Sequence, residues 1–186
     1  MVYTFNVKDS VWVASIGGFR YVGALHVDEV LSQVEEAVKP SIFQLFDADK
    51  VGGWKHLFFA AVNAVKAFET GVGVSKSLAI EVLLYASCQD QISQAFDIIG
   101  ISPSSRRLAL IVLAQHRGDA VNSFKMASKI LGTEDDSVLV INEEKYERLK
   151  RTFGITETEL AAVGSPREEA LSAILVERGA LLPLRK

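Results

Sequence analysis

The chain has 186 residues, 49% of them apolar and 23% charged, and a net charge of −3. That length carries the core of one domain, 1–186, and the slight acidity excludes a generic nucleic-acid coat, so any nucleic-acid contact has to come from a local basic patch. One cysteine excludes an internal disulfide and a cysteine-based zinc site and fits a reducing, cytoplasmic compartment, while three histidines standing far apart argue against a metal centre.

The first residues, M-V-Y-T-F-N-V-K-D, lack the basic start and apolar core of a signal peptide, and no apolar run approaches the roughly 20 residues of a membrane span, so no membrane contact is expected. Residues 2–7 and 11–16 read as short strands meeting at a turn around Lys8–Ser10, with a further extended piece at 19–22 after Gly17-Gly18. Val27, Val30, Leu31, Val34 and Val38 recur at helical spacing, and Pro40 stops that helix. Residues 41–48 then alternate like a strand.

The middle is helical. From 54 to 70, Trp54, Leu57, Phe58, Ala61, Val62, Val65 and Phe68 form an apolar stripe that Phe59, Ala60, Ala64 and Ala67 widen, the mark of a central helix. Gly71 and Gly73 end it, Ser75 caps a second helix over 76–86, and Ile92, Ala95, Phe96 and Ile99 mark a third, closed by Gly100. L-A-L-I-V-L-A (108–114) reads as a buried strand, Asp119 starts a helix to Leu131, and S-V-L-V-I (137–141) reads as another strand. Asn142 caps a charged helix that Gly154 stops. Thr156 with Glu159, and Ser165-Pro166 with Glu168, form two capping-box starts, and the last helix runs to Arg178 with Leu171, Ile174 and Leu175 inward, Gly179 ending it before A-L-L-P-L as a short edge strand. Strands, then a helical block, then alternating elements predict an α+β domain with helices packed on a small, mostly antiparallel or mixed sheet.

G-V-G-V-S-K-S (71–77) is not a phosphate loop, because Ser75 rather than glycine precedes Lys76 and a helix rather than a strand precedes the glycines. Cys88 lies near a predicted helix start but has no histidine close in sequence to activate it, so it reads as an inert small residue. Glu81 stands among Leu78, Ala79, Val82, Leu84 and Tyr85 with no cation three or four residues away. A buried carboxylate needs a partner or a proton, and Lys55, Lys66 or free N–H groups near 87–91 are the expected partners of this structural buried carboxylate. Asn63 is out of place inside a helix unless its side chain is engaged. Arg106-Arg107, His116-Arg117 and 148–151 are local basic clusters, the last on a helix rich in both signs and read as a solvated face. No second carboxylate pairs with Glu81 and no cofactor motif is present, so a binding protein is expected rather than an enzyme. The alternative is a small-molecule enzyme using Glu81 as a buried acid or base.

H-L-F-F-A-A-V-N-A-V-K-A-F, S-K-S-L-A-I-E-V-L-L-Y-A-S and Q-I-S-Q-A-F-D-I-I-G-I, with the tail L-V-I-N-E-E-K-Y-E-R-L-K-R-T-F-G-I-T-E-T-E-L and V-E-R-G-A-L-L, resemble the small kinase-binding subunit of the KEOPS complex, the PRPK-binding protein family, in its archaeal form. The likeness covers roughly residues 41–186, and the first 40 residues match only in the order of their elements. It implies a non-catalytic subunit without a cofactor, supporting threonylcarbamoyladenosine (t6A) modification of tRNA. Its partners would be the N-lobe of the kinase-like ATPase subunit, the 3′ CCA tail of tRNA and, indirectly, the other KEOPS subunits. By the same resemblance, helices matching 54–70 and 167–178 form the docking face, with Leu171, Ile174 and Leu175 as candidate kinase contacts. The tail-binding surface lies around the 87–91 junction, with Lys55, Asn63, Ser87 and Gln91 as candidates and a helix start at Ser87 offering N–H groups to a phosphate. Many relatives read Ser-Gly-x-Arg-Gln-Ile where this chain has Ser87-Cys88-Gln89-Asp90-Gln91-Ile92. The chain therefore places an anion where those relatives carry a cation, and a side chain where they carry none.

Overall fold

The structure is a computed structural model that describes residues 1–185. A hairpin opens the chain: β1 (Val2–Val7) turns at Lys8 into β2 (Ser10–Arg20), with Val7 opposite Ser10. β2 runs through Gly17-Gly18 without a break, where two separate pieces were expected. Another part of the chain crosses the strand there, and only glycine leaves room for it. A Cβ on Gly17 would stand 2.5 Å from the Phe124 ring, and one on Gly18 2.4 Å from a Val138 methyl and 2.7 Å from the Asp135 carbonyl oxygen.

β4 (Arg107–Ala114) lies between β2 and β3 (Ile42–Asp47), giving the order β1-β2-β4-β3, and the short β5 (Thr133–Glu134) pairs with the end of β2. Every pairing is antiparallel, so the mixed-sheet option falls away. Among the described residues eight α-helices pack on this five-stranded sheet, and the fold is α+β.

The sheet is covered on both sides, which is why β4 is apolar without alternation. Leu108, Leu110 and Val112 face α1 (Val27–Val38) and α5 (Arg117–Leu131), meeting Val30, Val34, Val38, Ala127 and Leu131. Ala109, Ile111 and Leu113 point the other way, into the cluster built by α2 (Gly53–Thr70), α3 (Leu78–Ser87) and α4 (Ile92–Ile99). Each leucine or isoleucine fully buried in this way contributes about 1.5–3 kcal/mol, so the middle strand alone anchors both layers. A third cluster joins α6 (Glu143–Thr152), α7 (Glu157–Val163) and α8 (Arg167–Ala180) through Tyr146, Leu149, Leu160, Ala170, Leu171, Ile174 and Leu175.

Several boundaries differ from the sequence reading. S-V-L-V-I is not a strand: Asp135 accepts a hydrogen bond from the Ser137 N–H at 3.0 Å, and a 3-10 turn over Asp136–Leu139 drops Val138 and Leu139 into the core. A-L-L-P-L is not an edge strand either, because α8 continues to Ala180 and a 3-10 turn, Leu182–Arg185, follows. The capping box of Thr156 and Glu159 forms with both of its bonds, whereas α8 starts at Pro166 without a side-chain cap. α5 begins after His116 rather than at Asp119, and Ser77 rather than Ser75 stands at the N-cap of α3.

Candidate functional site: the outer faces of α2, α4 and α8

α2 packs against α3 on one side and α8 on another, and residues four and three apart on its remaining face meet solvent. Lys55, Phe59, Asn63 and Lys66 form that outer stripe: Lys55 and Lys66 are exposed, Asn63 is half-buried and Phe59 leaves 43% of its surface in water. The Lys55 ammonium stands 5.9 Å from the centre of the Trp54 ring. The Asn63 side chain is half-buried and has no hydrogen-bond partner among the described residues, so its amide is not engaged within the helix layer. A face of two cations, an aromatic ring and a free amide has the composition that single-stranded nucleic acid recognition uses, cations for phosphates and a ring for a base.

The junction between α3 and α4 corrects the sequence reading in two respects. Ser87 ends α3 rather than starting a helix; it is fully buried, and its hydroxyl donates to the Leu84 carbonyl at 3.0 Å. It has no surface to offer a ligand and drops out of the candidate set. Cys88 is the C-cap, with a left-handed φ of 57°, and the N–H groups of Cys88 and Gln89 close the helix onto Tyr85 and Leu84. That backbone favours glycine; here a buried cysteine adopts it and directs its Sγ to the Leu175 carbonyl at 3.5 Å. A buried thiol at a helix C-terminus is not the partly exposed, helix-N-terminal setting of a reactive cysteine, against a nucleophilic role.

The helix start moves four residues on, to Gln91. Gln91 is exposed, takes the N-cap position of α4 without a side-chain cap, and accepts a bond from Gln94 at 2.8 Å. Exposed Ile92 and Phe96 follow on the same helix face, and exposed Asp90 precedes them. The Ala86 backbone meets the buried imidazole of His56, so the start of α2 and the end of α3 lie together. Lys55 and Gln91 therefore belong to the same end of the helical layer, while Asn63 stands about 12 Å along α2 from Lys55 at the usual helical rise.

Glu81 is the expected buried carboxylate, 1% exposed, but neither lysine is its partner. Its Oε1 accepts the Ser75 backbone N–H, and the carboxylate rests on Gly73, where a Cβ would stand 3.1 Å from Cδ. Glu81 thus ties the 71–77 loop to α3. Its charge, together with burial as the larger cause, raises the Tyr85 phenol one turn on. Closed off from solvent and fastened to a loop, it does not have the access an acid–base catalyst needs, which tells against the small-molecule enzyme.

α8 brings the largest correction. Leu171, Ile174 and Leu175 are 0, 5 and 0% exposed and fill the third core cluster, so they hold α6, α7 and α8 together and present nothing to a partner. The outer stripe of α8 is instead Glu169, Ala173, Glu177 and Ala180, with exposed Leu181 at its end.

Two buried titratable groups escaped the sequence reading. His56 accepts the Gly52 N–H at 3.0 Å through Nδ1, and burial pushes it down to about 4, against the pull of the Ala86 backbone and helped by the nearby Lys145 charge. Lys145, on the helix read as solvated, is 5% exposed and donates to the Val138 carbonyl at 3.1 Å. Burial pushes it down to about 8, with Asp49 opposing and Arg107 adding to the shift. Its place beside Tyr146 and one turn before Leu149 was the available signal.

The matching family model is that of the kinase binding protein CGI-121, over residues 25–181. The chain belongs to this family. A relative described as regulatory protein Cgi121, from Methanocaldococcus jannaschii, is 33% identical over 114 residues, spanning 61% of this chain and 70% of that protein. The family match begins after the β1–β2 hairpin and takes in α2, α3, α4 and α8, the elements whose outer faces are described above. As a CGI-121 family member the protein is a kinase-binding protein. Among the described residues no helix is long and apolar enough to cross a membrane.

Proposed function

We propose that this protein is the small subunit of a KEOPS assembly, docking on the N-lobe of its kinase-like ATPase subunit and holding the 3′ CCA tail of tRNA during threonylcarbamoyladenosine modification. Membership of the kinase-binding family supports the docking half. The RNA half rests on the outer stripe of α2, Lys55, Phe59, Asn63 and Lys66, and on the uncapped start of α4 at Gln91 at the same end of the layer as Lys55. Free N–H groups at a helix start and nearby ammonium groups attract a phosphate, and Phe59, Ile92 and Phe96 offer surfaces on which bases stack. The other KEOPS subunits are reached through the kinase, and the protein turns nothing over by itself.

The experiment has two arms. Mixed at micromolar concentration, the protein and the ATPase subunit co-elute in size-exclusion chromatography and ATP hydrolysis rises; separate elution refutes docking. Intact tRNA binds and tRNA trimmed of its CCA end does not, and Gln91→Ala weakens the intact complex. Equal affinity for intact and trimmed tRNA refutes the tail assignment.

A further inference from the structure

A cationic recess of about 710 Å³ lies beyond the far end of α4, where β2 and β3 end and β4 begins. Five basic side chains line it, Arg20, Lys50, Arg106, Arg107 and Arg148, against two carboxylates, in a chain whose net charge is −3. Both carboxylates are turned to partners within the protein. Asp47 accepts the Ser105 hydroxyl at 2.8 Å and the Asp49 N–H at 3.1 Å. Asp49 meets Arg107 Nε at 2.7 Å and lies 3.6 Å from Arg148. Asp49 braces Arg107 and Arg148, and Asp47 fixes the Ser105 turn and the Asp49 backbone.

Arg20 pairs with Asp135 and Arg148 with Glu144 at 2.7 Å, both carboxylates outside the lining, so two of the five cations have no such counterweight. Arg106 is exposed and donates to the Pro103 and Ser105 carbonyls at 2.9 and 3.1 Å, and Lys50 reaches only the Gly100 carbonyl at 3.4 Å. Neither pairs with a carboxylate among the described residues. Carbonyl contacts orient a guanidinium without neutralising it, so its charge remains available to a ligand. Ser102 and Ser104, joined at 2.9 Å on the rim, add hydroxyls suited to phosphoryl oxygens, and Tyr21 adds a ring at the edge.

The occupant's shape follows from the charge around the recess. A nucleic-acid strand needs a continuous basic track. Between the recess and Gln91 stands α4, I-S-Q-A-F-D-I-I, which has no cation and carries Asp97, and Asp90 precedes it. A strand held at Gln91 would cross an anionic stretch to reach the arginines. The recess is also within the roughly 300–1,000 Å³ of small-molecule sites. We propose that it binds a compact phosphorylated small molecule bearing at least two phosphoryl groups, such as a nucleoside di- or triphosphate, independently of the RNA surface.

The test is isothermal titration calorimetry of the full chain at low salt with inorganic pyrophosphate, with ATP and with single-stranded RNA. Pyrophosphate and ATP are expected to bind one site per chain with Kd below about 1 mM. Arg106→Ala and Lys50→Ala, each with its melting temperature checked, weaken both ligands at least tenfold, and Lys66→Ala on α2 leaves both unchanged. Absence of saturable binding by either probe overturns the proposal, as does binding that survives both substitutions. RNA binding lost on Arg106→Ala without any pyrophosphate binding overturns it too and makes the recess an RNA contact.

Discussion

α2 and α8 lie against each other, yet their outer faces have opposite character. α2 shows solvent two lysines, an asparagine and a phenylalanine; α8 shows two glutamates and two alanines. Their shared seam is apolar with one polar tie, Ser172 donating to the Gly52 carbonyl at 2.8 Å, while His56 closes the start of α2 by accepting the Gly52 N–H. A Cβ on Gly52 would collide with Leu175 at 2.6 Å, so the helices meet as closely as their backbones allow. The lesson is that the buried and exposed sides of the same helices differ in chemistry, and that under the function proposed above the basic, ring-bearing face suits RNA and the acidic, small-residue face suits a protein partner.

The sharpest way to break this division is to substitute the two sides of α8 separately. Leu171→Ala opens a cavity in the third cluster and is expected to cost about 2–5 kcal/mol of unfolding free energy, read by urea denaturation. Ala173→Arg, outside the core, leaves stability within about 0.5 kcal/mol and weakens kinase docking at least tenfold in a co-elution titration, because a long cation enters a small-residue face. If Leu171→Ala were harmless, or Ala173→Arg cost as much stability, the two sides would not be separate.

The seam itself makes a pH prediction. In the unfolded chain His56 takes a proton below about pH 6.5, while the buried imidazole resists protonation until about pH 4. Between those values the unfolded state binds more protons, so stability falls as pH falls, by up to about 3 kcal/mol. Urea denaturation at pH 7 and pH 4.5 should show this loss, and His56→Gln should remove most of it while lowering stability at pH 7. The carboxylate of Glu159, held down to about 2 by the Thr156 backbone and then Arg178, loses its contribution only below about pH 4.5 and does not confuse the window.

The sheet and its helical layers were largely legible because covering both faces of β4 leaves a continuous apolar run, Leu108 to Ala114, and such a run bounded by polar residues has strand length. S-V-L-V-I had the same appearance, but its course depends on the Asp135 side chain and on the space beside Gly18, which no local pattern announces. Leu171, Ile174 and Leu175 were legible as an inward stripe from their spacing, and only the resemblance offered them to a partner; their packing with α6 and α7 keeps the inward reading. At the junction the polar break was visible, but its geometry was not. Cys88 occupies a left-handed cap that favours glycine and that its own side chain disguises, so the helix start was placed four residues early. Arg106-Arg107 and Arg148 were visible as separate clusters, and only Asp49, which meets both Arg107 and Arg148, joins them around one recess.

The smallest expected effect concerns Asp90. It lies exposed one residue before the start of α4, where the proposed tRNA tail would present a phosphate. An exposed charge close to a ligand phosphate is strongly screened, so the penalty is modest, on the order of 1 kcal/mol or less. Asp90→Arg reverses the sign next to the free N–H groups of Ile92 and Ser93 without touching the core, so it should tighten intact tRNA about three- to tenfold at low salt and make binding more salt-dependent. Lys55→Ala should have the opposite sign at the same end of the layer. An Asp90→Arg variant with unchanged affinity and salt slope would move the RNA away from the junction and leave the outer stripe of α2 as the surface to test.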